Sequence, residues 1–212
     1  MSGQFQLRGL YAITDTTLTP PAALLDAVAE AVRGGAVVVQ YRDKGSSAEL
    51  RLQQATALNR LCRQYSVPLL INDDVELARL SGAAGVHLGR EDSAIAAARA
   101  QLGSEAVIGC SCYNDLSLAD AAVAAGADYV AFGRFFSSST KPEAVAADPA
   151  LLQRARGRFH CPIVAIGGIT PENGAALVAA GADMLAIISA LYRGDGPYQN
   201  ARAVSRLFAV PI

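Results

Sequence analysis

The chain has 212 residues, 52% of them hydrophobic and 17% charged, with 19 glycines, no tryptophan and a formal net charge of −1. That composition excludes a disordered polypeptide, and the near-neutral balance excludes a surface built to coat a polyanion. The length admits one substantial core, and a single (β/α)8 barrel domain over residues 1–212 is a permissible layout.

The opening, MSGQFQLRGLYAITD, has no apolar leader with a basic flank, and no later run approaches a membrane span. A cytoplasmic protein is expected, with neither membrane nor nucleic acid as partner. Four cysteines (Cys62, Cys110, Cys112 and Cys161) are too few and scattered for a disulfide framework. Cys110 and Cys112 form C-x-C with no second pair and no nearby histidine, which argues against a zinc site.

In chain order, eight apolar, β-rich runs recur: LYAIT, AVVVQYR, PLLIN, GVHL, AVIGC, DYVAFG, PIVAIGG and DMLAII. They are continuous rather than alternating, as in parallel strands covered on both faces. Helical stretches lie between them. PAALLDAVAEAVRGG opens on Pro21 and closes on Gly34 and Gly35, conventional start and stop signals. SAELRLQQATALNRLCRQ follows the second strand. AAGADYVAFG and AAGADMLAII repeat one frame of helix end, glycine and strand start. Eight such units predict an α/β fold of the (β/α)8 TIM-barrel type. A doubly wound sheet is the weaker alternative, because no G-x-G-x-x-G follows the first strand.

In such a barrel substrates bind at the C-terminal mouth, so the strand ends carry the function. Gln40, Arg42 and Lys44 share one face of the second strand, with Val38 and Gln40 inside and the two cations rising into the mouth. The third strand ends in Asn72, Asp73 and Asp74, and the fourth continues to Arg90 and Asp92. Two carboxylates facing one cavity repel unless a cation separates them. The oxygen-only pair Asp73 and Asp92 suits Mg²⁺, while Asp74 is expected to cap the next helix. Arg42, Lys44 and Lys141 form a cationic set suited to pyrophosphate. After the seventh strand, Gly167 and Gly168 would let backbone N–H groups approach an anion, and Ser189 opens a short helix after the eighth. His160 lies at the far end of its strand, and His87 reads as a satisfied core residue. No general-base constellation stands out.

Taken together, Q-x-R-x-K, N-D, G-V-H-L-G-x-x-D, the serine after strand five, S-x-T-K, A-I-G-G-I and the terminal I-S resemble the thiamine phosphate synthase family over nearly the whole chain. The resemblance implies a transferase of thiamine biosynthesis. It joins a hydroxymethyl-aminopyrimidine diphosphate to a thiazole phosphate and releases pyrophosphate with Mg²⁺ as cofactor. It further implies that Asp73 and Asp92 hold the metal, and that Arg42, Lys44, Asn72 and Lys141 bind the diphosphate. Gln40 and Ser111 would contact the pyrimidine; Ser138, Thr140, Gly168, Ile188 and Ser189 would hold the thiazole phosphate. Arg42, Lys44 and Lys141 are the expected catalytic cations. Three positions depart from the family pattern: Arg90 for a usual Gln, Tyr113 for a usual His, and Ser138 for a frequent Thr. The partners implied are the two small-molecule substrates, and a homo-oligomer is left open. A thiazole tautomerase on the same barrel is the alternative. It would need the phosphate site and a proton-transfer residue but no metal-diphosphate site. A non-catalytic phosphate sensor is disfavoured because no extra domain or tail is apparent.

Overall fold

Eight parallel strands pair in sequence order and close on themselves in the computed structural model, which describes residues 5–89, 95–137 and 147–209. The strands are β1 (Gly9–Ile13), β2 (Ala36–Tyr41), β3 (Leu69–Asn72), β4 (Gly85–Leu88), β5 (Val107–Tyr113), β6 (Tyr129–Gly133), β7 (Ile163–Ile166) and β8 (Met184–Ile187). Between them run α1 (Leu24–Arg33), α2 (Ala48–Gln64), α3 (Val75–Ser81), α4 (Ile95–Leu102), α5 (Leu116–Ala124), α6 (Ala150–Arg156) and α7 (Gly174–Ala179). The short α8 (Ser189–Tyr192) and α9 (Pro197–Arg206) follow β8. Closure is made by β1 on β8, with Gly9 opposite Met184 and Tyr11 opposite Ala186. Each of the eight expected strands is present, and the barrel layout prevails over the doubly wound sheet.

Alternation along the strands sorts the side chains. Tyr11, Val38, Leu70, Val107, Tyr129, Val164 and Met184 point inward and form the barrel's interior cluster. Their neighbours Val39, Leu69, Ile71, Val86, Ile108 and Val130 point outward and pack under Val28, Leu58, Ala119 and Leu177 of the helices. Both faces are buried, which is why the strands read as unbroken apolar runs. One boundary differs from expectation. The first helix starts at Leu24 rather than Pro21, because Ala23 N–H bonds the Pro20 carbonyl (2.8 Å) in a turn ahead of it.

The AAGAD repeat acquires a physical meaning. Ala127 N–H reaches back to the Ala122 carbonyl and Ala182 N–H to the Leu177 carbonyl, closing α5 and α7 alike. The aspartate that follows then reaches sideways to the start of the preceding strand. Asp128 accepts from Ile108 N–H (2.8 Å) and Arg99 (2.7 Å); Asp183 accepts from Ile163 N–H (2.8 Å) and from Arg156. Asp128→Ala would leave a buried N–H and a guanidinium without this partner. A loss of about 1–3 kcal/mol is expected, read from the urea midpoint at constant slope. An unchanged midpoint would mean that this buckle adds nothing.

Candidate active site

The C-terminal ends of the strands open into a cavity of about 530 Å³. Its wall includes Gln40, Arg42 and Lys44 from β2 and beyond, Asn72 and Asp73 from the end of β3, and Ser111 and Tyr113 from β5. Gly167, Gly168, Ile188 and Ser189 line the opposite side. The structure therefore gathers every described residue that the sequence reading placed in the site. Asp92, Ser138, Thr140 and Lys141 lie outside the described residues, as does Arg90.

Among the described residues of the wall, three cations (Arg42, Lys44 and Arg134) face one carboxylate, Asp73. In a chain of net charge −1 this is a local concentration of positive charge suited to an anion. The end of β2 is pinned to β1, since Arg42 N–H donates to Thr14 Oγ1 (2.9 Å). Among the described residues no carboxylate pairs with the Arg42 guanidinium. Lys44 is more exposed and reaches Asp73 Oδ2 (2.7 Å). The loop carrying Lys44 is organised by Asp43, whose carboxylate accepts from Gly45 and Ser46 N–H groups at 2.9 Å each. Burial alone would raise the Asp43 carboxyl, but hydrogen bonds from Ser46, Gly45 and Tyr41 outweigh it and hold it below the usual carboxylate range.

Asp73 sits in the left-handed backbone region (φ 65°), which turns it out of the strand, and Asn72 Nδ2 donates to it (2.6 Å). Asp74 caps α3 as expected, accepting from Leu77 N–H (2.9 Å) and pairing with Arg51 (3.2 Å). Among the described residues no three His, Cys, Asp or Glu side chains converge on a metal position. Asp73 is a hard oxygen donor beside cations placed for phosphate. That fits Mg²⁺, which takes one or two carboxylates and completes its shell with water and phosphate oxygens.

Below the mouth, polar groups cross the barrel in a line. Gln40 Nε2 donates to Tyr11 Oη (2.6 Å), which lies 2.8 Å from Tyr129 Oη. Tyr129 Oη is 2.9 Å from His87 Nδ1, and His87 Nε2 is 2.8 Å from Ser111 Oγ. Both tyrosines are buried, and burial raises each phenol well above its ordinary range, so each keeps its proton. His87 is the satisfied residue the sequence suggested, but it also lines the cavity. His160 is exposed, ahead of β7 and away from the mouth.

The glycines after β7 serve packing and cavity together. Gly167 (φ 103°) and Gly168 (φ 65°) hold backbone geometries that disfavour side chains. A Cβ on Gly167 would lie 2.3 Å from Arg134 Cβ, and one on Gly168 2.3 Å from the Ser137 carbonyl. Asn173 clamps the turn, accepting from Thr170 N–H (2.8 Å) and donating to the Gly168 carbonyl (3.0 Å). Arg134, which no local sequence pattern marks, occupies the space that a Gly167 side chain would need and lines the cavity wall.

Fold and mouth together define a (β/α)8 barrel built to hold anionic ligands at its C-terminal face. The chain belongs to the thiamine monophosphate synthase (TMP-TENI) family, which matches residues 10–191. It is 56% identical over 187 residues to a thiamine-phosphate synthase of Nitrosococcus oceani, covering 88% of this chain and 86% of the relative. The corresponding Azoarcus protein is 50% identical over 204 residues, covering 96% and 98%. Among solved structures, a thiamine phosphate pyrophosphorylase from Pyrococcus furiosus superposes with a TM-score of 0.87 at 30% identity, covering 96% of each chain.

Proposed function

We propose that this chain is a thiamine-phosphate synthase that joins a hydroxymethyl-aminopyrimidine diphosphate to a thiazole phosphate, plain or carboxylated, and releases pyrophosphate, with carbon dioxide as a further product where the thiazole is carboxylated. The observation that carries this reading is the gathering of Arg42 and the Lys44–Asp73 ion pair at one edge of a cavity whose floor is the Gln40–Ser111 line.

Arg42, Lys44, Asn72 and Lys141 grip the diphosphate, Arg42 through its planar fork and the lysines as point charges. Asp73 and Asp92 hold Mg²⁺, which supplies positive charge against the diphosphate oxygens when bound. Gln40 and Ser111 orient the aminopyrimidine. Ser138, Thr140, Gly168, Ile188 and Ser189 hold the thiazole phosphate so that its ring nitrogen faces the pyrimidine methylene carbon. The amino group donates electrons into the ring, the carbon–oxygen bond to diphosphate breaks, and the thiazole nitrogen bonds to the carbon. The protein's share is positioning and stabilisation of the departing charge. No proton needs to move for the bond to form, which agrees with a mouth where both nitrogens of His87 are engaged within the barrel. A tautomerase would need a proton-transfer group that His87, so held, does not offer.

No helix among the described residues is long and apolar enough to cross a membrane, and a cytoplasmic setting fits the reading. The test is product formation from both substrates across an Mg²⁺ titration. Product is expected only with both substrates and metal, and Asp73→Ala should cut turnover strongly and shift the titration to higher Mg²⁺. Wild-type turnover and titration in that variant would remove Asp73 from the metal site. Consumption of thiazole phosphate alone would favour the tautomerase.

A further inference from the structure

We infer that the line of hydrogen bonds through the barrel interior is a polarised relay in which Tyr129 and His87 act as positioning residues, fixing Ser111 as a hydrogen-bond donor toward the substrate ring. The inference rests on the synthase reading for the identity of that ring.

The argument is one of counting protons. Each phenol keeps a single hydrogen and can donate once. Gln40 Nε2 donates to Tyr11 Oη at 2.6 Å, so the Tyr11 hydrogen is spent on Tyr129 Oη at 2.8 Å. Tyr129 then has its own hydrogen for His87 Nδ1 at 2.9 Å, which must be an acceptor. A neutral imidazole with Nδ1 unprotonated carries its proton on Nε2, and that proton points at Ser111 Oγ, 2.8 Å away. Ser111 accepts there and keeps its own hydrogen for the cavity that it lines.

The same geometry admits a reversed chain only if every link turns over together, with the Gln40 carbonyl toward Tyr11 and the imidazole proton on Nδ1. The two ends are therefore coupled. In the inferred polarity Gln40 offers its carbonyl as acceptor and Ser111 offers a donor. That pair matches a heteroaromatic ring bearing an exocyclic amine and an unprotonated ring nitrogen. Tyr11 and Tyr129 meet edge to face (centroids 5.9 Å apart, 82°), and His87 stacks on Tyr129 (5.7 Å, 21°). Packing as well as hydrogen bonding thus holds each ring in line.

Nitrogen NMR reads the proton's place directly. The chain has two histidines, so a His160→Gln background leaves His87 as the sole imidazole, recorded at about pH 8 where a free imidazole is neutral. The expected spectrum is the Nε2–H tautomer, lost to a mixture in Tyr129→Phe and also in Tyr11→Phe, which uncouples Tyr129 from Gln40. A proton on Nδ1, as tautomer or imidazolium, overturns the inference. Kinetics supply the second reading. Tyr129→Phe should raise KM for the pyrimidine diphosphate about tenfold, the weight of one hydrogen bond, and leave KM for thiazole phosphate unchanged. Because Tyr129 acts through Ser111, the Tyr129→Phe/Ser111→Ala double variant should bind no worse than Ser111→Ala. Additive losses would make Tyr129 a packing residue only. If the wild type forms no thiamine phosphate, the synthase reading fails, while the tautomer stands or falls by its own spectrum.

Discussion

Arg42→Ala should slow coupling roughly 30- to 1,000-fold, about 2–4 kcal/mol of transition-state stabilisation, the scale of losing one preorganised donor. The expectation follows from how the residue is held. Its backbone is fixed to Thr14 across the β1–β2 pair, so the guanidinium leaves the strand at a defined place in the mouth. Lys44 already neutralises Asp73, whereas no carboxylate among the described residues competes for Arg42, and its charge is available to an incoming anion. Pyrophosphate, the released product, should inhibit the variant more weakly by a similar factor. Arg42→Lys sharpens the test: charge is restored without the bidentate fork, so partial recovery is expected. Single-turnover coupling and pyrophosphate inhibition measure the two effects. Wild-type pyrophosphate affinity in Arg42→Ala would take this residue out of the diphosphate cradle.

The parts of this site visible in the sequence are those that obey a local rule. Gln40, Arg42 and Lys44 alternate along one strand, and barrel geometry sends such a row to the mouth. Asn72 and Asp73 end an apolar run, and Asp74 stands three residues before the Leu77 N–H it caps. What stayed hidden depends on partners far apart in the chain. Tyr11 and Tyr129 are 118 residues apart and look like ordinary members of apolar strands. Only closure of the barrel brings their hydroxyls together. His87 was legible as a satisfied residue, but its partners Tyr129 and Ser111 were not. Arg134 lies in a run of aromatics and serines, and its entry into the cavity depends on packing against Gly167 of another loop. Likewise the AAGAD repeat was plain as a pattern, while the sideways reach of Asp128 and Asp183 required neighbouring strands in register.

Gly109→Ala should be among the most damaging single-methyl changes in the barrel interior. Gly109 lies in register with His87 on β4 and Tyr129 on β6, on the inward face that Val107 and Ser111 share. The missing side chain is where the Tyr129 ring sits: a Cβ there would fall 1.9 Å from Tyr129 Cζ and 2.3 Å from both Cε atoms. The ring cannot yield easily, because it is fully buried, meets Tyr11 edge to face and stacks on His87. A destabilisation of about 3 kcal/mol is expected, the upper part of the overpacking range. For a chain of this length that lowers Tm by roughly 6–12 °C. Displacing the ring also moves the phenol away from His87, so KM for the pyrimidine diphosphate should rise as in Tyr129→Phe. A second substitution separates the two consequences. Tyr129→Leu in the Gly109→Ala background removes the ring that the new methyl strikes, so part of the lost stability should return. The hydroxyl is absent, so the raised KM should persist. Calorimetry on the single and double variants, with substrate titration, measures both. A Gly109→Ala protein that melts with the wild type would show that the Tyr129 ring has room to move, and the rigid relay would then have no basis.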